Sequence, residues 1–408
     1  MADAAALGFS PDRLQRIERL LNDRYVAPGR IPCAQVQVLR RGELAYEAVL
    51  GHADVERGRK LQADAIFRIY SMTKPITSVA FMMLVEEGAV ALDDPVHKYI
   101  PSWKNLGVFQ AGLPGQFLTT PPERPMQIVD LLRHTSGLTY GFQNRTNVDA
   151  AYRKLKVGEV WGGGDLEAFI AQLAELPLEF SPGSAWNYSV STDVLGYLVG
   201  KISGMAFEDF LRTRIFEPLG MVDTGFSVRP GEEKRLAACY QAQPGGGMKL
   251  QDDPETSHYL APPTLVSGGG GLVSTAADYA RFCRMLLNRG ELGGARLLAP
   301  RTLGLMAANH LPGGADLTQM SRSLFSESTN AGVGFGLGFA SVFQPASTLL
   351  PSNRGEHYWG GMASTAFWID PVDEVAVVFM TQLVPSSTYA IRRELRTLVY
   401  SALMETNG

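Results

Sequence analysis

Residues 70–88 read YSMTKPITSVAFMMLVEEG. After Pro75 the segment is almost entirely apolar and it ends at Gly88, a pattern typical of a helix with no solvated face. Ser71 then lies at the N-terminus of this helix, and Lys74 follows three residues later on the same side. The stretch therefore predicts an apolar helix that begins with a hydroxyl and an amine within reach of each other.

A serine hydroxyl is a weak nucleophile until a base removes its proton, and a desolvated lysine can act as that base. Lys74 has no acidic neighbour within one turn of the predicted helix. The pattern favours Ser71 as a nucleophile with Lys74 as its base. The alternative is an N-cap serine followed by a solvent-facing lysine, because Ser-x-x-Lys occurs by chance in many chains.

Hairpins near both ends of the chain predict one sheet. Each hairpin contains short runs that alternate apolar and polar residues or are rich in β-branched and aromatic residues, with a turn between them. A helix precedes the first hairpin and another follows the second, so we expect an antiparallel sheet with helices on it. The predicted elements are a helix at 10–22, strands at 34–39 and 44–50, strands at 366–369 and 375–381, and a helix at 387–404.

The middle of the chain predicts an inserted, mostly helical lobe, because residues 94–318 show helical periodicity interrupted by Gly and Pro. The fold class is therefore α/β in the α+β sense. Residues 1–93 and 319–408 form a discontinuous sheet domain, and residues 94–318 form the helical lobe. Long irregular loops are expected at 110–125, 241–263 and 310–338.

The composition excludes several classes of partner. The 408 residues are 45% hydrophobic. With 41 acidic and 37 basic residues, the chain has no net positive charge that would attract a polyanion. Nucleic acid is therefore not an expected partner. The N-terminus lacks an apolar signal segment, and no apolar run reaches the roughly twenty residues of a membrane span. We expect a soluble, cytoplasmic protein with no membrane partner.

Cysteine and histidine usage gives no sign of a metal. Cys33, Cys239 and Cys283 are widely spaced, which fits buried thiols in a reducing compartment better than disulfides or a zinc site. The six histidines are scattered. Glycine-rich runs at 267–272 and 332–338 lack the residues that complete a phosphate or dinucleotide loop. No metal and no cofactor is expected.

A second candidate for chemistry is a tyrosine after a turn. Residues 182–189 read PGSAWNYS and lead into a predicted helix. Tyr188 can be presented into a cleft there, and a tyrosine held near a lysine can pass a proton to a leaving alcohol. The alternative is that Trp186 and Tyr188 simply pack the loop.

A third candidate precedes the C-terminal hairpin, where residues 358–364 read YWGGMAS. Two glycines at the head of a strand let the backbone approach a ligand closely. Backbone N–H groups there, together with that of Ser71, can bind the negative oxygen of a tetrahedral intermediate. A bulged edge strand would have the same sequence pattern.

Taken together, residues 71–74 (SMTK), 188–190 (YSV) and 359–361 (WGG) resemble the Ser-x-x-Lys, Tyr-x-Asn and Lys-Thr-Gly elements of class C β-lactamases and DD-peptidases, in the same order. The resemblance spans about residues 10–405 and implies a site in the cleft between a sheet domain and a helical lobe. It further implies that Ser71 is acylated, that Lys74 deprotonates it and that Tyr188 relays the proton. The oxyanion would be bound by the N–H groups of Ser71 and Met362.

Two departures from the family pattern bear on the substrate, which the resemblance places against Val190, Trp359, Gly360 and Gly361. Val190 stands where β-lactamases carry an amide side chain, and Trp359 stands where they carry a lysine that attracts the lactam carboxylate. Losing the cation and the amide weakens recognition of an anionic lactam, whereas an indole favours an apolar group. Trp-Gly-Gly is similar to the motif of family VIII carboxylesterases and of related acyltransferases.

The sequence thus predicts a serine carboxylesterase that hydrolyses short-chain carboxylic esters through an acyl-enzyme on Ser71, with at most weak β-lactamase side activity. An acyltransferase, a true β-lactamase or a D-amino-acid peptidase with the same three residues is the alternative. A non-catalytic acyl-binding sensor, which would form an adduct that never turns over, is a remoter one. The expected partner is a small-molecule ester.

Overall fold

The computed structural model describes residues 2–322 and 330–407. Its strands, in chain order, are β1 (Cys33–Arg40), β2 (Glu43–Asp54), β3 (Arg59–Lys60), β4 (Phe67–Arg68), β5 (Val108–Leu113), β6 (Gln116–Thr120), β7 (Cys239–Ala242), β8 (Met248–Asp252), β9 (Val273–Ser274), β10 (Glu291–Leu292), β11 (Ala295–Arg296), β12 (Val333–Phe335), β13 (Ala340–Val342), β14 (His357–Gly360), β15 (Ala366–Asp370), β16 (Val375–Met380) and β17 (Leu383–Val384).

The α-helices are α1 (Pro11–Leu20), α2 (Thr73–Glu86), α3 (Ile128–Leu132), α4 (Asn147–Leu155), α5 (Leu166–Ala174), α6 (Ser191–Ser203), α7 (Phe207–Leu211), α8 (Glu217–Leu219), α9 (Ala276–Leu287), α10 (Pro300–Ala307), α11 (Leu317–Met320) and α12 (Ile391–Ala402). Short 3-10 and π turns connect several of them, and the 3-10 turn Tyr70–Met72 leads directly into α2.

The main sheet joins the two ends of the chain, as the sequence predicts. Its eight strands run in the order β12-β13-β14-β15-β16-β1-β2-β3, and neighbouring strands are antiparallel throughout. The two predicted hairpins meet along β1 and β16, where Val36 lies opposite Phe379. The predicted fold class, an antiparallel sheet flanked by helices, is confirmed.

Successive side chains along each strand point to opposite faces of the sheet, and both faces are buried. On β15, Trp368 packs in one apolar core together with α1 and α12, whereas Phe367 and Ile369 pack in a second core with α2, α6 and α9. Both faces are therefore covered by helices. The second core is continuous with the helices of the middle region, and β14, which carries the third motif, packs against the turn Tyr70–Met72 that precedes α2.

Helix α2 is buried along almost its whole length, which explains its lack of a polar face. Ser78 and Thr77 are buried with the apolar residues, and α2 packs against α6 and α7. Because α2 is enclosed on several sides, its N-terminal residues are fixed relative to both the sheet and the middle region.

Two of the predicted irregular loops are wrong. Residues 110–125 contain most of the β5–β6 hairpin, in which Leu113 lies opposite Gln116 around a Pro114-Gly115 turn. Residues 241–263 contain most of the β7–β8 hairpin, closed by three glycines with positive φ at 245–247. The Pro-Gly pair and the glycine run are the turn signals that this prediction overlooked. In the stretch 310–338, α11 and β12 are ordered elements, and 323–329 lie outside the described residues.

Within the described ranges no helix is both long and apolar enough to cross a membrane. The domain boundaries at residues 93 and 319 stay a prediction.

Candidate active site

Ser71 sits in a tightly anchored turn at the start of α2. The preceding Tyr70 has a left-handed φ of 42°, and Ile69 donates its N–H to the Leu272 carbonyl at 3.1 Å. Below the serine, the Tyr279 hydroxyl donates to the Met72 carbonyl at 2.9 Å. Ser71 itself is only half-buried. The hydroxyl is therefore rigidly placed but accessible.

Lys74 is 2% exposed and points back toward this serine. Its Nζ lies 3.3 Å from Ser71 Oγ and donates to the Gly269 carbonyl at 2.7 Å. The same nitrogen lies 4.5 Å from the centre of the Tyr188 ring and 5.3 Å from that of Tyr140. The structure thus brings the predicted Ser71, Lys74 and Tyr188 together, and Lys74 does not reach into bulk water.

The carbonyl that holds Lys74 is itself positioned by Asp193 on α6. Asp193 Oδ1 accepts from the Gly269 N–H at 3.0 Å and from Ser267 Oγ at 2.5 Å. A Cβ at position 269 would lie 2.5 Å from Asp193 Oδ2, so a side chain there would displace the carboxylate. Burial raises the pKa of the Asp193 carboxyl, and the positive charge of Lys74 opposes that shift.

Tyr188 is 6% exposed and belongs to an aromatic wall. Its ring centre lies 5.5 Å from that of Trp359, 5.3 Å from that of Tyr140 and 5.1 Å from that of His134. Burial, with a further contribution from Lys74, holds the pKa of His134 well below 6.5. His134 is therefore a neutral ring that supports Tyr188 from behind.

The third motif ends in a turn beside the serine. Gly361 donates its N–H to the Thr365 carbonyl at 2.9 Å, and its own carbonyl accepts from the Ser364 N–H at 3.1 Å. A Cβ at 361 would lie 2.4 Å from the Ile69 carbonyl oxygen. The turn therefore lies directly against the segment that carries Ser71, which is why glycine is needed at 361.

Two backbone donors are available where this turn meets the serine turn. Met362 is 43% exposed at the turn. Among residues 2–322 and 330–407, neither its N–H nor that of Ser71 has a hydrogen-bond acceptor. Backbone donors on two adjacent segments are suited to bind an oxyanion.

The residues predicted to contact the substrate differ in how exposed they are. Trp359 and Gly360 are half-buried and Gly361 is buried, and the Trp359 ring centre lies 5.3 Å from that of Phe335. Val190 is only 1% exposed and lies in the apolar core. Its side chain therefore offers no surface to a substrate, because the turn before α6 directs it inward.

Several residues of the site were missed by sequence reasoning. Asp193 and Gly269 fix the lysine, Tyr140 adds to its aromatic wall, and Arg392 lies behind the third motif. The glycine run at 267–271 was the one local signal for these contacts. Over the described residues, no group of three or more His, Cys, Asp or Glu is arranged to hold a metal ion.

Comparison with known proteins gives consistent matches over most of the chain. A sequence model of the family described as Beta-lactamase matches residues 19–401. Protein Rv1367c of Mycobacterium tuberculosis (strain ATCC 25618 / H37Rv) is 35% identical over 360 residues, covering 88% of this chain and 87% of its own length. Esterase EstB of Burkholderia gladioli is 30% identical over 395 residues, covering 91% and 92%.

The fold also matches solved structures. The structure of "EstCE1, a hydrolase with promiscuous acyltransferase activity" superposes with a TM-score of 0.78 at 24% identity, covering 98% of this chain and 99% of that one. The matches therefore span both ends of the chain and its middle.

Proposed function

This chain belongs to the Beta-lactamase family, and from that premise we propose that it is a serine carboxylesterase that hydrolyses short-chain carboxylic esters through an acyl-enzyme on Ser71. The observation that carries the proposal is the Lys74 amine, which is 2% exposed, lies 3.3 Å from Ser71 Oγ and faces the Tyr188 ring. A buried amine next to a half-buried serine hydroxyl is suited to proton transfer. The similarity to Esterase EstB supports ester hydrolysis.

In the proposed acylation, Ser71 Oγ attacks the ester carbonyl carbon while Lys74 takes the hydroxyl proton. The carbonyl π electrons move onto oxygen, and the N–H groups of Ser71 and Met362 stabilise that negative charge. The intermediate collapses as the C–O bond to the alcohol breaks, and Tyr188 relays the proton to the leaving oxygen. Water then attacks the acyl-enzyme by the same route, which releases the acid and restores the Ser71 hydroxyl.

The proposed substrate is a small uncharged ester. The Tyr188 ring centre lies 5.3 Å from that of Tyr140 and 5.5 Å from that of Trp359, and such an aromatic surface favours apolar acyl or alcohol groups over a carboxylate. This chemistry supports assignment to the family VIII carboxylesterases, with at most weak β-lactam hydrolysis. Val190 is not part of the proposed substrate surface.

Acyl transfer is the second candidate, because the similar structure of EstCE1 is that of a hydrolase with promiscuous acyltransferase activity. Transfer uses the same acyl-enzyme, with an alcohol in place of water as the acceptor. Product analysis in the presence of competing alcohols separates the two: a new ester as the main product would favour transfer. A nitrocefin rate above the ester rates would instead favour a β-lactamase.

The test of the proposed function is turnover of p-nitrophenyl acetate and butyrate by wild type and by the Ser71→Ala variant. We expect Ser71→Ala to lose essentially all turnover while its circular dichroism spectrum is retained. Ser78→Ala is the matched control, since Ser78 is a buried serine on the same helix but has no part in the site. Undiminished turnover in Ser71→Ala would remove the proposal.

A further inference from the structure

Arg392, in the first turn of α12, lies behind the strand end that carries the third motif. Its Nη2 donates to the Gly361 carbonyl at 2.8 Å and to the Thr365 carbonyl at 2.8 Å. The mechanism above does not use this cation. Its place matters because the Gly361 carbonyl belongs to the same peptide unit as the Met362 N–H.

The guanidinium is fitted closely against the motif. A Cβ at position 360 would lie 2.6 Å from both Cζ and Nη2 of Arg392. The cation therefore occupies the space that a side chain at 360 would take. The position of Arg392 therefore explains why residue 360 is a glycine, without any contact between residue 360 and a substrate.

The Gly361 carbonyl accepts two hydrogen bonds, one from Arg392 and one from the Ser364 N–H at 3.1 Å. A cation bonded to a carbonyl oxygen draws electron density toward that oxygen, and linked hydrogen bonds polarise one another. The N–H at the other end of the peptide then becomes a stronger donor. In this turn that N–H belongs to Met362, which has no acceptor among the described residues.

Resting on the function proposed above, we propose that Arg392 is a positioning residue that polarises the Gly361–Met362 peptide and so strengthens the Met362 N–H as an oxyanion donor. The effect is largest when the oxygen carries full negative charge, that is, in the tetrahedral intermediates. It is small for the neutral ester. Arg392 therefore acts on kcat and on the binding of charged tetrahedral analogues, and hardly on KM.

The test compares Arg392→Gln, Arg392→Lys and the control Arg393→Gln, which alters the neighbouring arginine on the same helix. We expect Arg392→Gln to lower kcat on p-nitrophenyl butyrate by about tenfold, with KM changed by less than about twofold. We expect the same variant to bind phenylboronic acid about tenfold more weakly. Phenylboronic acid is the probe because its adduct with a serine is tetrahedral and anionic. Arg392→Lys, which keeps the charge, recovers most of both losses, and Arg393→Gln behaves as wild type.

The proposal would be overturned if Arg392→Gln had the same kcat and the same boronate affinity as wild type. It would also be overturned if Arg392→Lys were as impaired as Arg392→Gln. If Arg392→Gln does not fold, Gly360→Ala serves as the test variant, because its added methyl group displaces the Arg392 guanidinium. A wild-type kcat in Gly360→Ala would also overturn the proposal. The Ser71→Ala variant is assayed in parallel. Turnover that does not need Ser71 removes the proposed function, whereas Ser71-dependent turnover that is insensitive to Arg392 removes only this inference.

Discussion

At the scale of single residues, the central feature is a lysine amine enclosed by rings and backbone. Lys74 contacts the Gly269 carbonyl and the faces of Tyr140 and Tyr188. Withdrawing an amine from water is costly unless neighbouring groups compensate it. Those contacts hold the amine in place while leaving it beside Ser71, so its position serves the chemistry of the serine.

The first prediction concerns this amine directly. Lys74→Met removes the base but keeps a side chain of similar length, so we expect kcat on p-nitrophenyl butyrate to fall by about 10³-fold. Unfolding by urea should be little affected because the pocket stays filled. Lys201→Met, at an exposed lysine of α6, is the control. A loss of less than tenfold in Lys74→Met would exclude Lys74 as the general base.

The second prediction concerns the carboxylate behind it. In Asp193→Asn the amide keeps an oxygen for the Gly269 N–H, but the charge that compensates the Lys74 ammonium is removed. Because the Gly269 segment holds the Lys74 amine beside Ser71, we expect kcat on p-nitrophenyl butyrate to fall by about tenfold, with KM changed by less than about twofold. Steady-state kinetics on wild type and Asp193→Asn measure this; an unchanged kcat would show that the Asp193 charge does not contribute.

The sequence was informative at this scale only where contacts are local. Ser71 and Lys74 are one turn apart, so their encounter follows from helix geometry. Asp193 and Arg392 act on residues far away in the chain, through hydrogen bonds to backbone groups. No periodicity signals such contacts. The motif position of Val190 was readable from the sequence, but the burial of its side chain was not, and its contact with substrate stays a prediction.

At the scale of elements, the glycine turn after β14 is held against the serine turn before α2. Gly361 contacts Ile69 and Thr365 through backbone that leaves no space for a side chain. This contact holds the segment that carries Met362 against the segment that carries Ser71.

A third prediction follows from that contact. In Gly361→Ala the new Cβ would lie 2.3 Å from Thr365 Oγ1 and 2.4 Å from the Ile69 oxygen, so the turn must move away from Ser71. We expect kcat to fall by about 10²-fold and stability by about 1–3 kcal/mol. Gly304→Ala is the control, because a methyl group added at that glycine of α10 would meet no atom within 4 Å. Kinetics and urea unfolding on both variants check this; an active Gly361→Ala would place the oxyanion site elsewhere.

The fourth prediction concerns His357 on β14, whose Nδ1 lies 3.0 Å from the Gly355 carbonyl. Burial lowers its pKa from 6.5 to about 4. Because the folded protein resists protonation here, this group's stabilisation is complete above pH 6.5 and is lost as the pH falls from 6.5 through 4. The loss between pH 7.5 and 5 should be about 2 kcal/mol for this group.

His357→Gln should therefore show a smaller drop in unfolding free energy between pH 7.5 and 5 than wild type. Urea unfolding at the two pH values measures it. His97→Gln, in the 3-10 turn Val96–Lys98, should keep the wild-type drop. Equal drops in wild type and His357→Gln would mean that the histidine is protonated in the folded protein.

Helix α2 and the two end hairpins were predictable because their apolar patterns are strong and local. The β5–β6 hairpin was not predicted, although its turn lies at Pro114-Gly115. Its strands carry exposed Leu113 and Leu118 and lack the alternation that marks a half-buried strand. The hairpin packs Val108, Phe109 and Phe117 against the core, but without the regular alternation that makes a strand readable from its sequence.

At the scale of the whole molecule, the pairing of β1 with β16 joins the two ends of the chain, and the packing of α2 against α6 places the second motif beside the first. The first motif follows the N-terminal strands, the second precedes α6, and the third lies on β14. Their encounter was expected from family resemblance, and composition and periodicity alone did not require it. The fold class and the family are confirmed, whereas the division into domains at 93 and 319 is a prediction.

In the proposed mechanism, a substrate acyl group becomes covalently attached to Ser71. Rapid acid quench of wild type with p-nitrophenyl butyrate, followed by mass spectrometry of the intact protein and its peptides, tests it directly. We predict one added butyryl group on the peptide that contains Ser71, lost as turnover ends and absent from Ser71→Ala. Ester hydrolysis with no butyryl group on that peptide, or with the group on another residue, would contradict the claim.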